Sequence, residues 1–454
     1  MTAQHTLYRR IWRWHFYAGL FVIPFMLVLA LSGMALLLKP QLESLQFGDW
    51  LTVPEMAQQQ SPDVLLKQVK RAFPNAGPHQ FIAAKNAGET SRFVVKQQQQ
   101  SILVFIDPYR AVVVGSIPLA DTWYAIADDI HGTLLLGKSG DALLEAAAGL
   151  CLFLLMSGLY LHWPRSRNAS LWKLPLRQYH KRFSWRQLHG ALGIWLSVVL
   201  VFFALSGLAW TGVWGQKLVQ PWSSFPAEKS ARFWNNYQAE TTQAATPTTH
   251  IHGNLNSDNL EEVPWAVEQL PVPLSQPHHA HLPLLSLADI MAQGKALGLD
   301  YFRVSFPRGE RGVYSLISST TSGDISNPLN DRTVHIDPHS GDILADIGWA
   351  DYNLLAKTMA AGIALHKGEV SAINLWGNML ACALLILLSI AGAVLWFKRR
   401  SVRRPQLSLP PHSNHSGHGW RLLLTLSAVL FPLSGVVLLL IALLDSLLNR
   451  RQSS

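Results

Sequence analysis

Five stretches of this chain are apolar for twenty residues or more, at roughly 15–38, 142–163, 188–210, 376–397 and 420–446. Each is long enough to cross about 30 Å of hydrocarbon as a helix. A helix satisfies every backbone group within the segment, which lipid demands. The pattern between these stretches changes to strands paired across Asp-Pro turns. "SILVFIDPYRAVVVGS" (101–116) is an apolar strand, a turn and a second strand, and "RTVHIDPHSGDILAD" (332–346) repeats that plan. Asp followed by Pro at the first two positions is what a type I turn favours. Ahead of each pair stands an amphipathic helical pattern, "SPDVLLKQVKRAF" and "PLLSLADIMAQGKALG". The expectation is a helix on a small antiparallel sheet, formed twice. A polar, Thr/Asn-rich insert before the second pair ("AEKSARFWNNYQAETTQAATPTTHIHGNLNSDNLEEVP") reads as a flexible loop.

The apolar stretches also repeat. "HFYAGLFVIPFMLVLALSGMALLL" (15–38) and "LHGALGIWLSVVLVFFALSGLAW" (188–210) both place His, then Gly four residues on, then Ser-Gly at +17 and +18. These are His15, Gly19 and Ser32-Gly33 in one copy, and His189, Gly193 and Ser206-Gly207 in the other. The returning spans match more loosely: His131 precedes Gly158 by 27 residues and His366 precedes Gly392 by 26. The break "GKSGD" (137–141) puts His131 on a separate short helix. The fold class expected is a polytopic α-helical membrane protein. Its duplicated helix pairs form a four-helix bundle, one extra helix follows at the C-terminus, and two α+β modules lie outside the membrane.

Charge sets the orientation. The chain has 454 residues, only 14% of them charged, and a formal net charge of +9. The basic residues gather beside the spans: Arg9, Arg10 and Arg13, then 164–186 with seven Lys or Arg and no acid, then "KRRSVRR" (398–404). The positive-inside rule places these in the cytoplasm, so a nucleic-acid partner is not needed to explain them. The expected division is 1–38 as N-terminus and first span, 39–135 as first outer module, and 136–163 as second span. A basic loop at 164–186, a third span at 187–210 and a second outer module at 211–370 follow. The fourth span is 371–397, an inner loop is 398–419, and a fifth span covers 420–446. That fifth span would carry the C-terminus outside, and Arg450 and Arg451 count against it. The first apolar run is too long for a signal-peptide core and no small-x-small cleavage site follows, so it reads as an uncleaved anchor.

The candidate chemistry lies in histidines. Two cysteines, Cys151 and Cys382, exclude a disulfide scaffold and a Cys-ligated cluster. Ionisable side chains in spans default to a functional role with a named partner. The repeat pairs His15 with His189 towards the inner side, and His131 with His366 towards the outer side. Four imidazoles in two pairs meet the requirement of two six-coordinate b-type haems. Gly19 and Gly193 would leave space one turn from each inner histidine, where a flat group could lie. About 20 Å of helical rise separates Gly19 from Ser32, so two macrocycles would span most of the bilayer. Gly33 and Gly207 would relieve crowding near the outer one. His162 is a reserve inner ligand, and His180 reads as a solvated loop residue. The outer histidines His250, His252, His278, His279, His281, His335 and His339, and the inner group His412, His415 and His418, read as exposed loop residues more readily than as a metal site. Many Trp residues, such as Trp12, Trp14, Trp163, Trp210 and Trp396, fall at span ends as an interfacial belt. No GxGxxG or P-loop occurs, and the inner loops are too short for a nicotinamide or flavin domain. Electrons would have to come from a separate cytoplasmic reductase or from quinol.

Over about residues 8–400 the "H…G…SG" spans and "DP" strand pairs resemble the PepSY-associated transmembrane family of bacterial inner membranes. The resemblance implies PepSY-like periplasmic modules and a cytoplasmic N-terminus. It further implies haem contacts at His15, His189, His131 and His366, and passage of electrons outward to a ferric siderophore, which releases iron as Fe(II). This chain departs from the family pattern in its first turn, "DPYRA" rather than Gly-ended, in His162 of "LYLHWP", and in the fifth span. Two other readings stay open: a non-enzymatic PepSY scaffold or accessory subunit of an iron importer, and a haem electron carrier for another acceptor such as copper or a sulfoxide.

Overall fold

A computed structural model describes residues 3–163, 182–223, 251–257, 260, 262–275, 283–399 and 418–453. In chain order its main helices are α1 (Ala3–Leu37), α2 (Lys39–Phe47), α3 (Pro62–Ala72), α4 (Trp123–Thr133), α5 (Lys138–His162) and α6 (Arg182–Leu208). Then come α7 (Leu287–Ala296), α8 (Leu354–His366), α9 (Ala372–Arg399), α10 (His418–Leu430) and α11 (Pro432–Ser453). The strands are β1 (Gly77–Ile82), β2 (Ser91–Gln97), β3 (Gln100–Asp107), β4 (Val112–Pro118), β5 (Arg303–Ser305), β6 (Tyr314–Ser318), β7 (Arg332–Ile336) and β8 (Ile343–Gly348). The chain divides into two compact units, one of residues 1–34, 129–219 and 376–454, the other of 35–128 and 220–375.

The first unit is helical. Among the described residues four helices are long and apolar enough to cross a membrane: Leu7–Leu37, Lys138–His162, Ser184–Leu208 and Ala372–Arg399. In α1 the residues Ile11, Trp14, Ala18, Val22 and Met26 recur every three or four positions and so line one face. That stripe packs on Ala147, Leu150, Cys151 and Phe153 of α5. Trp14 is therefore core rather than interfacial belt. As the "GKSGD" break implied, α4 and α5 are separate helices, joined through left-handed backbone at Leu134, Leu135 and Gly137.

The expected fifth span is not one helix. Pro432 lacks an N–H, and the chain bends sharply there. A Cβ on Gly435 would lie 2.7 Å from that of Ala428, whereas seven residues of straight helix advance about 10 Å. The bend docks on α5, where Ser434 Oγ donates to the Ala146 carbonyl at 3.0 Å. Helix α11 then runs to the start of α1, where Asp445 Oδ1 accepts from Arg13 Nε at 2.8 Å and from the Tyr17 hydroxyl at 2.6 Å. Asp445 thus lies at the end of the unit that carries Arg13, not at the opposite end.

The second unit is a single antiparallel sheet of eight strands in the order β4-β3-β2-β1-β5-β6-β7-β8. Two separate modules were expected. They are joined because β1 and β5 would each leave an open edge, and the two edges pair at Gln80↔Ser305, Phe81↔Val304 and Ile82↔Arg303. Both predicted helices, α3 and α7, pack on one face over a shared core that includes Leu65, Val69, Phe81, Phe93, Leu287, Ile290 and Leu316. Ser61 caps α3 and Ser286 caps α7, and Asp63 of α3 also accepts from the first amides of α7, Leu287 at 2.8 Å and Ala288 at 3.1 Å.

The two Asp-Pro turns share their local geometry. Asp107 Oδ1 accepts from the amides of Tyr109 and Arg110, and Asp337 Oδ1 from those of His339 and Ser340. A register shift sits just ahead of each turn, between Phe105 and Ile106 and between His335 and Ile336. Each turn ends in left-handed backbone, at Gly341 in the second and at Ala111 in the first.

Candidate functional site

The helical unit brings His15 and His189 together. Their ring centres are 6.4 Å apart and the planes are nearly perpendicular, at 87°. An ion held between two imidazoles by metal–nitrogen bonds of about 2.0–2.1 Å puts the ring centres about 6 Å apart. The hydrogen bonds of each ring decide which nitrogen is left over. His189 Nδ1 faces the Leu388 carbonyl at 3.1 Å. A carbonyl only accepts, so Nδ1 carries the hydrogen and Nε2 keeps its lone pair. His15 Nδ1 lies 2.8 Å from Ser157 Oγ, which itself donates to the Leu154 carbonyl at 3.2 Å. That hydroxyl therefore accepts from His15, and His15 Nε2 is left over in the same way. Metal-bound histidines are held in this fashion.

A Cβ on Gly193 would meet nothing within 4 Å, and one on Gly19 would meet only Leu154 Cδ2 at 3.9 Å. The donor set and the open side fit a b-type haem, which His15 and His189 would hold. The reserve ligand His162 packs its ring on Gly190, leaving no room there for a Cβ. It thus adjoins His189 rather than facing His15.

Towards the other end of α1 the same device holds His131. Ser32 Oγ donates to the Val28 carbonyl at 2.7 Å and stands 2.9 Å from His131 Nδ1. A Cβ on Gly33 would lie 3.3 Å from His131 Cε1. Gly158 and Gly392 bear the same relation to His15 and His189, with Cε1 at 3.1 Å and 3.3 Å. Gly33 therefore makes room for a histidine edge, where the sequence reading had it clearing a macrocycle. For His131 and His15 a serine takes Nδ1 and the next glycine accepts the ring. Ser206, ahead of Gly207, donates to the Phe202 carbonyl at 2.7 Å, in the posture of Ser32. His366 ends α8 in the second unit, and His131 lies in the first.

Several expectations about other residues change. His252 and His335, expected in exposed loops, are fully buried and bonded to each other, Nε2 to Nε2 at 2.8 Å. His252 Nδ1 faces the Leu270 carbonyl and His335 Nδ1 faces Ser315 Oγ. His180, His250, His278, His279, His281, His412 and His415 lie outside the described residues. Among the described residues no group of three or more His, Cys, Asp or Glu side chains could hold a metal ion. Sequence reasoning missed Ser157, although "SG" at 157–158 repeats the dipeptides at 32–33 and 206–207. It also missed Glu145, a buried acid of α5 whose Oε2 accepts from the amides of Val213 and Trp214 at 3.0 Å and 3.1 Å. No signal in the sequence marks that acid beyond its place in an apolar run.

A search of curated proteins found no match to this chain. The family model described as the PepSY-associated TM region matches residues 12–399, and the chain, with its apolar helices and antiparallel sheet, belongs to that family.

Proposed function

We propose that this protein is a di-haem b reductase of the bacterial inner membrane that passes electrons outward to a periplasmic ferric chelate. The observation that carries the proposal is the His15–His189 pair, 6.4 Å apart on two long apolar helices, with both Nδ1 atoms engaged. When bound, the haems supply reversible one-electron chemistry. His15 and His189 would hold the inner one, Gly19 and Gly193 leave open space on their helices, and Ser157 and the Leu388 carbonyl engage the two Nδ1 atoms so that each Nε2 keeps its lone pair. His131, oriented by Ser32, is the first outer ligand. Its pairing with His366 rests on sequence spacing alone.

The reaction asks little of acid–base groups. One electron from a cytoplasmic reductase or from quinol reduces one ferric ion. Oxygen-rich chelators prefer hard cations, so the softer Fe(II) is released. In this reading the N-terminus is cytoplasmic, the sheet unit is periplasmic and the acceptor is a ferric siderophore.

Protein purified from haem-replete cells should show a Soret band and reduced α-bands, and should convert a ferric siderophore to trappable Fe(II). His15→Ala and His131→Ala should each remove about one haem equivalent. A colourless preparation that takes up no haem would refute the proposal, and loss of both haems in either variant would refute the two-site assignment.

A further inference from the structure

The two inner histidines face different partners, and the repeat shows how the difference arises. Gly158 and Gly392 receive His15 and His189 in matching fashion, with Cε1 the closest atom at 3.1 Å and 3.3 Å and Nδ1 the next atom of the ring at 3.8 Å and 3.6 Å. Counting back four residues from each glycine reaches Leu154 and Leu388. In the second half the Leu388 carbonyl takes the His189 Nδ1–H directly, at 3.1 Å. In the first half a hydroxyl stands between: His15 Nδ1–H goes to Ser157 Oγ, and Ser157 O–H goes to Leu154. The residue that aligns with Ser157 is Ala391, fully buried and without a hydroxyl.

We infer that Ser157 is a positioning residue that makes the two ligands of the inner haem electronically unequal, with Ala391 as its unsubstituted counterpart. This rests on the haem reading above. A backbone carbonyl draws the Nδ1 proton strongly and so raises the basicity of the ligating nitrogen. A serine hydroxyl is a weaker acceptor, so His15 is the less electron-rich ligand. Hydrogen bonding behind an axial ligand is one of the levers by which a protein sets haem potential. Richer donation favours the ferric state, so the hydroxyl holds the inner potential above the value that two carbonyl-bonded histidines would set.

The repeat supplies matched variants. Ser157→Ala rebuilds the first half in the pattern of the second and lets His15 turn its Nδ1–H to Leu154. Ala391→Ser does the reverse beside His189. Redox titration of the purified protein should show one of two midpoints lowered in Ser157→Ala and that same midpoint raised in Ala391→Ser. Ser157→Thr, which keeps the hydroxyl, should restore the wild-type value. The low-temperature EPR signal of one ferric haem should move with the potential while the other stays fixed.

Full haem content with both midpoints and both EPR signals unmoved in Ser157→Ala would overturn the inference. So would an upward shift in that variant, or failure of Ser157→Thr to restore the value. Wild-type protein without haem would instead refute the haem reading, so the two failures are distinguishable. If Ser157→Ala is poorly folded, Ala391→Ser still decides the sign.

Discussion

Ala111 is the residue at which the two halves of the sheet differ most simply. It has φ +55° at the position where the second turn has Gly341 at φ +78°. Left-handed backbone costs an L-residue about 1–2 kcal/mol, and glycine nothing. Ala111→Gly removes that strain but loses a buried methyl and gains chain freedom in the unfolded state, both unfavourable. The backbone terms alone leave a stabilisation of about 0.5–1 kcal/mol, measurable as a raised denaturation midpoint for the sheet unit. An unchanged or lowered midpoint would show that packing of the methyl outweighs the backbone term. The odd ending "DPYRA" was visible in the sequence. That it stores strain rather than marking a different turn was not, because φ is decided by the strand pairing on either side.

At the scale of elements the last apolar run is the instructive one. Its length and hydropathy predict a span, and Arg450 and Arg451 argue against a C-terminus outside. The structure reconciles the two: the run bends at Pro432, docks its tip on α5 and brings Asp445 to Arg13. A cysteine placed at Leu447 should therefore react with a membrane-impermeant reagent from the same side as one placed at Arg9. Labelling from opposite sides would restore the single fifth span. Asp445→Asn should loosen the hairpin, since Arg13 is buried there and loses its charged partner.

For the sheet unit as a whole, the seam between its halves is a pairing of three residues of β1 with three of β5. At the centre of the sheet, Arg303 of β5 is buried between Glu262 and Asp324, with Nε 2.8 Å from Asp324 Oδ2. Glu262 also accepts from Gln80 of β1 at 3.3 Å, so the ion group ties both edges of the seam. Removing one partner of a buried ion group costs about 3–5 kcal/mol. Glu262→Gln should lower the hydrogen-exchange protection of β2 and β7 together, by a similar free energy. Protection lost from β7 alone would mean that the halves remain separate folding units despite their shared sheet.

What the sequence determined by itself were features carried by local pattern. Hydrophobic length marked the spans, alternation and Asp-Pro marked the strand pairs, and the doubled spacing singled out His15 and His189. Each follows from a physical preference that neighbouring residues express without the rest of the chain. The tertiary structure alone decided which groups meet. It joined two sheets into one because unpaired edges seek partners, and it turned the last apolar run back on itself because Pro432 cannot continue a helix. It buried His252 against His335, which lie far apart in the chain. It also gave Ser157 the task of orienting His15, 142 positions away in the sequence. A hydroxyl one residue before a glycine carries no such meaning until another helix lays an imidazole across it.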